Sequence, residues 1–168
     1  MTRPLAIPEK HGGALGDRLS VRVWLRLLSC TMAIEKEVQR GLASAFGTTL
    51  PRFHVLAALE RRPRGMTMGE LSRALLVSNG NVTGLVRGLA GDGLVEVAPL
   101  PSDRRATRVR LTAAGARRFA EMAAAHHGWV EAMLAGLRED ERRDLHARLG
   151  RLKLSLANAP PIGAQDGP

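Results

Sequence analysis

With 168 residues, of which 45% are hydrophobic and 24% charged, the chain is long enough for one domain with a real core and has an ordinary globular make-up. Its formal net charge of +9 points to an anionic partner, nucleic acid or an acidic membrane surface, although an arginine-, alanine- and glycine-rich chain is also what a GC-rich genome writes. The lone cysteine, Cys30, excludes an internal disulfide and fits a reducing cytoplasm, the lack of any long apolar run excludes a membrane-spanning helix, and 3% aromatic content favours packed helices over a sheet sandwich.

Residues 1–16 lack the apolar centre of a secretory signal, and with 159–168 they are expected to form flexible tails. From Asp17, a plausible N-cap, to Phe46 the residues Leu19, Val23, Leu27, Ile34, Val38 and Leu42 recur near helical spacing. This predicts a long amphipathic helix over 17–46, with Cys30 on its apolar stripe. Gly47 ends it, and Thr49 caps a second helix with Leu50, Phe53, Leu56 and Leu59 on its inner face and Pro51 in its first turn.

Thr67-Met68-Gly69-Glu70 fits a capping box, opening a short helix whose Leu71, Ala74 and Leu75 face inwards. Ser78 caps the next helix, through Leu89, and Gly91 and Gly93 close it. Two strand-like runs follow, Leu94 to Ala98 and Thr107 to Leu111, separated by a polar loop over 99–106. Thr112 then caps a long helix carrying Phe119, Met122, Trp129, Val130 and Met133. A last helix from about Glu139 repeats Leu145, Leu149, Leu152 and Leu156. The fold class is mainly α: a winged helix-turn-helix with a two-stranded β wing over 47–111, flanked by long helices over 17–46 and 112–158. The apolar stripes of those outer helices exceed what the small central unit can cover, so a two-fold homodimer is expected.

Two short helices joined by the turn from Leu75 to Ser78 have the geometry that places the second helix in the major groove of duplex DNA. That helix begins at Ser78 and offers Asn79, Asn81, Thr83 and Arg87. Asn pairs with adenine, Arg with guanine, and a Thr methyl packs on the thymine methyl. The same residues would also make the solvated face of an ordinary helix. Gly80, Gly84 and Gly88 cost helix stability and would let the backbone approach DNA. In the loop, Arg104 and Arg105 suit a narrow minor groove, with Asp103 placed to orient Arg105; a plain charged turn is the alternative.

The segments Met68-Gly69-Glu70-Leu71-Ser72, Ser78 through Leu89, and Gly93-Leu94-Val95, followed by Asp103-Arg104-Arg105, five residues, then Leu111-Thr112 and Gly115, resemble the MarR (multiple antibiotic resistance regulator) family. The resemblance covers roughly Arg18 to Ala157. It implies a homodimer with interlocked terminal helices that represses transcription at a pseudo-palindromic operator until a small molecule or oxidant releases it. By it, the Ser78 helix enters the major groove and Arg105, supported by Asp103, the minor groove. The recognition helix is Asn-, Gly- and Thr-rich where many relatives are charge-rich, so base preference does not transfer.

The resemblance also implies an effector site between the dimerisation helices and the DNA-binding lobe. The stretches holding Trp24, Arg26 and Cys30, and Arg52 and His54, are similar to a subgroup responding to aromatic acids or their coenzyme A thioesters. Trp24 as core and the arginines as surface charges is the competing reading. An oxidant sensor at Cys30 and a sequence-independent architectural DNA protein are further alternatives. No catalytic or metal-binding pattern is present: His126 and His127 are adjacent and point about 100° apart on a helix, and no cofactor is expected.

Overall fold

The computed structural model describes residues 18–100 and 103–160; most of both expected tails, 1–16 and 161–168, lies outside the described residues, as does Asp17. The described part divides at Val130/Glu131 into two units.

The first unit opens with α1 (Leu19–Phe46), closed by Gly47 in the left-handed conformation. Its N-cap is Arg18, without a side-chain cap bond. Leu25, Val38 and Leu42 are its buried residues, whereas Leu19 and Val23 are exposed. The buried stripe is therefore confined to the C-terminal third of the helix, apart from Leu25. Cys30 is exposed in the single chain, not buried on the stripe as the repeat suggested.

Helix α2 (Leu50–Glu60) starts with Pro51 in its first turn and buries Phe53, Val55, Leu56 and Leu59. Thr49 occupies the N-cap without a side-chain bond; the Gln39 side-chain oxygen accepts from the Leu50 N–H at 2.7 Å instead. A residue eleven positions upstream thus satisfies the first free amide of α2. Phe53 is the aromatic centre of the unit, stacked on His126 at 5.0 Å and packed beside Phe119 at 5.5 Å.

Strand β1 (Met66–Thr67), helices α3 (Met68–Leu75) and α4 (Asn79–Gly91), and strands β2 (Val95–Leu100) and β3 (Asp103–Leu111) complete the winged helix-turn-helix. The sheet order is β1-β3-β2, antiparallel throughout. The short third strand was not expected. Gly65 (φ 78°) makes it possible, because a Cβ there would press on the Val109 backbone and the Arg110 side chain. The ribbon is also longer than expected: Pro99 pairs with Thr107 and Leu100 with Asp103, past an irregularity at Pro99/Leu100, so much of the expected loop is ladder. Pro99 is tolerated because β2 is an edge strand.

Helix α5 (Ala113–Leu134) runs from the first unit into the second. Its Trp129 ring lies against Gly41 of α1, where a Cβ would come within 2.8 Å of the indole, and meets Phe46 edge-on at 6.4 Å. Arg118 lies over the Phe46 ring at 5.0 Å and donates to the Phe46 carbonyl at 3.0 Å.

The second unit holds the end of α5 and α6 (Glu139–Ala157). Glu139, Asp140 and Glu141 place negative charge in the first turn of α6, where the helix dipole favours it, and the Arg138 N–H donates to Glu141 Oε2 at 2.9 Å. No residue of α6 is buried; Leu145, Leu149, Leu154 and Leu156 are all exposed.

Candidate nucleic-acid interface

The helix-turn-helix is built from local chemistry. Thr67 and Glu70 form the expected capping box: the Thr67 hydroxyl accepts from the Glu70 N–H at 3.2 Å, and Glu70 accepts from the Thr67 N–H at 2.7 Å. The bond from the Thr67 N–H, together with one from the Thr67 hydroxyl to Glu70 Oε2 at 3.0 Å, holds the Glu70 carboxyl below its ordinary pKa. Leu71 is buried beneath α3, but Ala74 is exposed, contrary to the inward position expected of it. The eight residues of α3 make barely two turns, and Leu71 takes the inner position.

Leu76 ends α3 with φ 55° and ψ 37°, and Ser72 donates its hydroxyl to the Val77 carbonyl across the turn. Ser78 is the N-cap of α4, in extended conformation and without a side-chain cap bond. Val82, Val86 and Leu89 are buried under α4. At about 100° per residue, Gly80, Gly84 and Arg87 occupy the side opposite these three, flanked by Asn81 and Thr83. Asn81, Thr83 and Arg87 are all exposed. Of Asn79, only the backbone at the start of α4 is described.

The helix glycines divide into two kinds. A Cβ at Gly80 or Gly84 would meet nothing within 4 Å, so their open side is available to something outside the chain. A Cβ at Gly88 would stand 3.0 Å from Arg52 Nη1, so Gly88 serves an internal contact. Arg52 passes over it from α2 to pair with Asp92, the C-cap of α4. This bond between residues forty positions apart ties the end of the recognition helix to α2, and no sequence pattern announced it.

The wing carries basic residues along β3. Val109 is fully buried, Arg110 pairs with its register partner Glu96 at 3.1 Å, and Arg108 donates to the Arg64 carbonyl at 3.2 Å. The backbone of Asp103, Arg104 and Arg105 belongs to β3; their side chains lie outside what is described. At the base of the wing Thr112 caps α5, accepting from the Gly115 N–H at 2.9 Å while donating to the Gly93 carbonyl at 2.7 Å.

The residues expected around an effector do not converge. Trp24, Arg26 and Cys30 are exposed on α1. Arg52 points to Asp92, whereas His54 lines a cleft of about 420 Å³ between α2 and α3, with Arg61 and Arg62 beside it and Ala58, Met66 and Leu75 among its apolar walls. Two residues apart on one helix, Arg52 and His54 face opposite ways. Arg61 and Arg62 are basic residues of this cleft that sequence reasoning missed. His126, stacked on Phe53, has its pKa lowered by burial first, and further by His54 and His127. Among the described residues no group of three or more His, Cys, Asp or Glu could hold a metal ion, and no helix is long and apolar enough to cross a membrane.

Residues 46–106 match the MarR family model. The crystal structure of a MarR family transcriptional regulator from Silicibacter pomeroyi superposes with a TM-score of 0.72 at 32% identity, covering 84% of this chain and 99% of that one. The chain belongs to the MarR family. A MarR family regulator from Rhodococcus sp. RHA1 shares the fold with a TM-score of 0.73 at 18% identity, covering 82% of this chain and 96% of its own. Among curated proteins, the transcriptional activatory protein BadR of Rhodopseudomonas palustris is 38% identical over 99 residues, 58% of this chain and 56% of BadR. The transcriptional repressor IacR of Pseudomonas putida is 29% identical over 100 residues, 60% of this chain and 59% of IacR. The chain thus spans little more than half the length of these two relatives. The stretch that matches the family model runs from the end of α1 through α2, β1, the α3–α4 pair and β2 to the first residues of β3.

Proposed function

We propose that this MarR family chain acts in the cytoplasm as a homodimeric repressor that reads a pseudo-palindromic operator. The observation that carries the reading is the outer side of α4: glycine backbone without neighbours at Gly80 and Gly84, framed by exposed Asn81, Thr83 and Arg87. Such a surface admits close backbone approach and offers side chains for base edges. Ser78 and Asn79 stand at its start, and Asp103, Arg104 and Arg105 supply the minor-groove contact from the wing. The exposed leucines of α6, and Leu19, Val23 and Trp24 on α1, support a dimer, since a second copy would cover them.

Footprinting on the DNA flanking its own gene tests this. The expected result is a protected dyad with half-sites centred about 34–36 Å apart, and affinity falling steeply with salt. Equal affinity for random duplex would favour an architectural role instead. A raised transcript from the occupied promoter would mark an activator, the role named for BadR.

The finer part of the proposal is release by an aromatic acid or its coenzyme A thioester. The cleft with His54, Arg61 and Arg62 supports it, because apolar walls beside basic side chains suit an aromatic carboxylate or a phosphate. Trp24, Arg26, Cys30 and Arg52 remain the other proposed contributors. Calorimetry against benzoates, hydroxycinnamates and their thioesters, with operator release read in parallel, decides it. Absence of binding, with release by mild peroxide only when Cys30 is intact, would replace this reading with an oxidant sensor.

A further inference from the structure

Leu76 is the one described residue other than glycine with a positive φ, at 55°. It is also the most exposed large apolar side chain described, at 92%. A left-handed backbone brings a Cβ against its own carbonyl, and γ-branched leucine gains nothing from the conformation that glycine or asparagine would not supply at lower cost. Exposure offers no return either, because the side chain packs on nothing in its own chain. A residue unfavourable on both counts, in the turn that sets the angle between α3 and α4, calls for an external contact.

The surroundings select what makes that contact. Leu76 lies two residues before the N-cap of α4. From Leu71 to Gly91 the sequence contains no Asp or Glu, and its charged residues are Arg73 and Arg87. The turn is therefore an apolar tip on a stretch that is neutral to basic, which suits a polyanion such as duplex DNA and not a basic partner. Val77 beside it is also exposed. We infer that Leu76 packs on the deoxyribose and thymine-methyl surface of duplex DNA at the edge of the groove entered by α4, so that an apolar contact in the turn adds to affinity. This rests on the operator-reading proposal above.

The test uses the full chain, wild type, Leu76→Gly and Leu76→Asn, with duplex enriched by the wild-type protein from a random-sequence pool. Both replacements accept the left-handed conformation, so the fold should survive. Leu76→Gly should melt no lower than wild type, with a gain of up to a few degrees. Both variants should bind the enriched duplex about tenfold more weakly, the loss expected when one leucine contact disappears. The slope of affinity against salt should stay unchanged, because no phosphate contact is removed. If wild type enriches no duplex, the operator reading itself fails. If it does and both variants bind as tightly, only the role of Leu76 falls. A lower melting temperature for Leu76→Gly, or loss of self-association by either variant, would also overturn it, by showing that the side chain packs within the chain or against a second copy.

Discussion

Gly115, in the first turn of α5, meets Leu94 backbone to backbone: a Cβ at Gly115 would stand closer than 3.0 Å to the Leu94 carbonyl. That same carbonyl accepts from the Thr112 N–H at 3.1 Å, and Thr112 donates its hydroxyl to Gly93 at 2.7 Å. The start of the wing and the start of α5 are thus one joint. Gly115→Ala should destabilise the protein by about 1–3 kcal/mol, because neither backbone can yield without disturbing the bonds at Thr112. Thr112→Ala should cost about 1 kcal/mol through the lost cap. Urea unfolding at fixed protein concentration measures both, and a Gly115→Ala midpoint equal to wild type would show that the joint is loose.

The Arg52–Asp92 pair should act on α4, not only on an effector. Arg52 is mostly covered while the Asp92 carboxylate is more than half exposed, so the coupling in a double-mutant cycle should be small, about 0.5–1 kcal/mol. The informative readout is DNA binding. Arg52→Ala and Asp92→Ala should each weaken binding modestly, and the double variant by no more than either alone. Additive losses would mean that the two residues serve separate purposes.

Folding stability should fall as pH drops below about 6.5, in part through His126. Its pKa is lowered by burial first, with His54 and His127 adding repulsion, so the folded state takes up a proton on this ring less readily than the unfolded chain does. Below the unfolded-state value the unfolded chain then binds more protons, and the contribution present above that value is lost as pH falls through the folded pKa. Unfolding of wild type and His126→Asn at pH 7.5 and 5.5 provides the comparison; the variant should lose less on acidification. Equal losses would assign the pH dependence to other groups.

Where periodicity and capping chemistry act locally, the fold was legible in the sequence. Thr67, Glu70 and Thr112 make the bonds their spacing implies, and Val82, Val86 and Leu89 bury the face that their period marks. What stayed hidden depends on contacts far apart along the chain. Gln39 replaces Thr49 as the cap of α2, Arg52 reaches Asp92 across Gly88, and the two-residue strand β1 exists because β3 is there to pair with it. The misplaced stripe on α1 has a related cause. Its spacing marks apolar residues without saying what covers them, and in the single chain Leu19, Val23 and Trp24 are exposed.

The wing offers the sharpest separation between charge and geometry. Strand β3 carries Arg104 and Arg105 near its start, whereas Arg117 is an exposed arginine on α5. If the wing tip enters a minor groove, removing Arg105 loses a placed contact whose value rises as the groove narrows over A/T-rich sequence. Arg105→Ala should therefore weaken operator binding by about 1–3 kcal/mol, and more when the bases under the wing are A/T than when they are exchanged for G/C. Arg117→Ala should cost less and be indifferent to that exchange, because it removes only general positive charge. Fluorescence anisotropy on two duplexes differing only beneath the wing, at a single salt concentration, reads all four combinations. Equal losses for both arginines on both duplexes would leave net charge as the whole explanation and remove Arg105 from the reading surface.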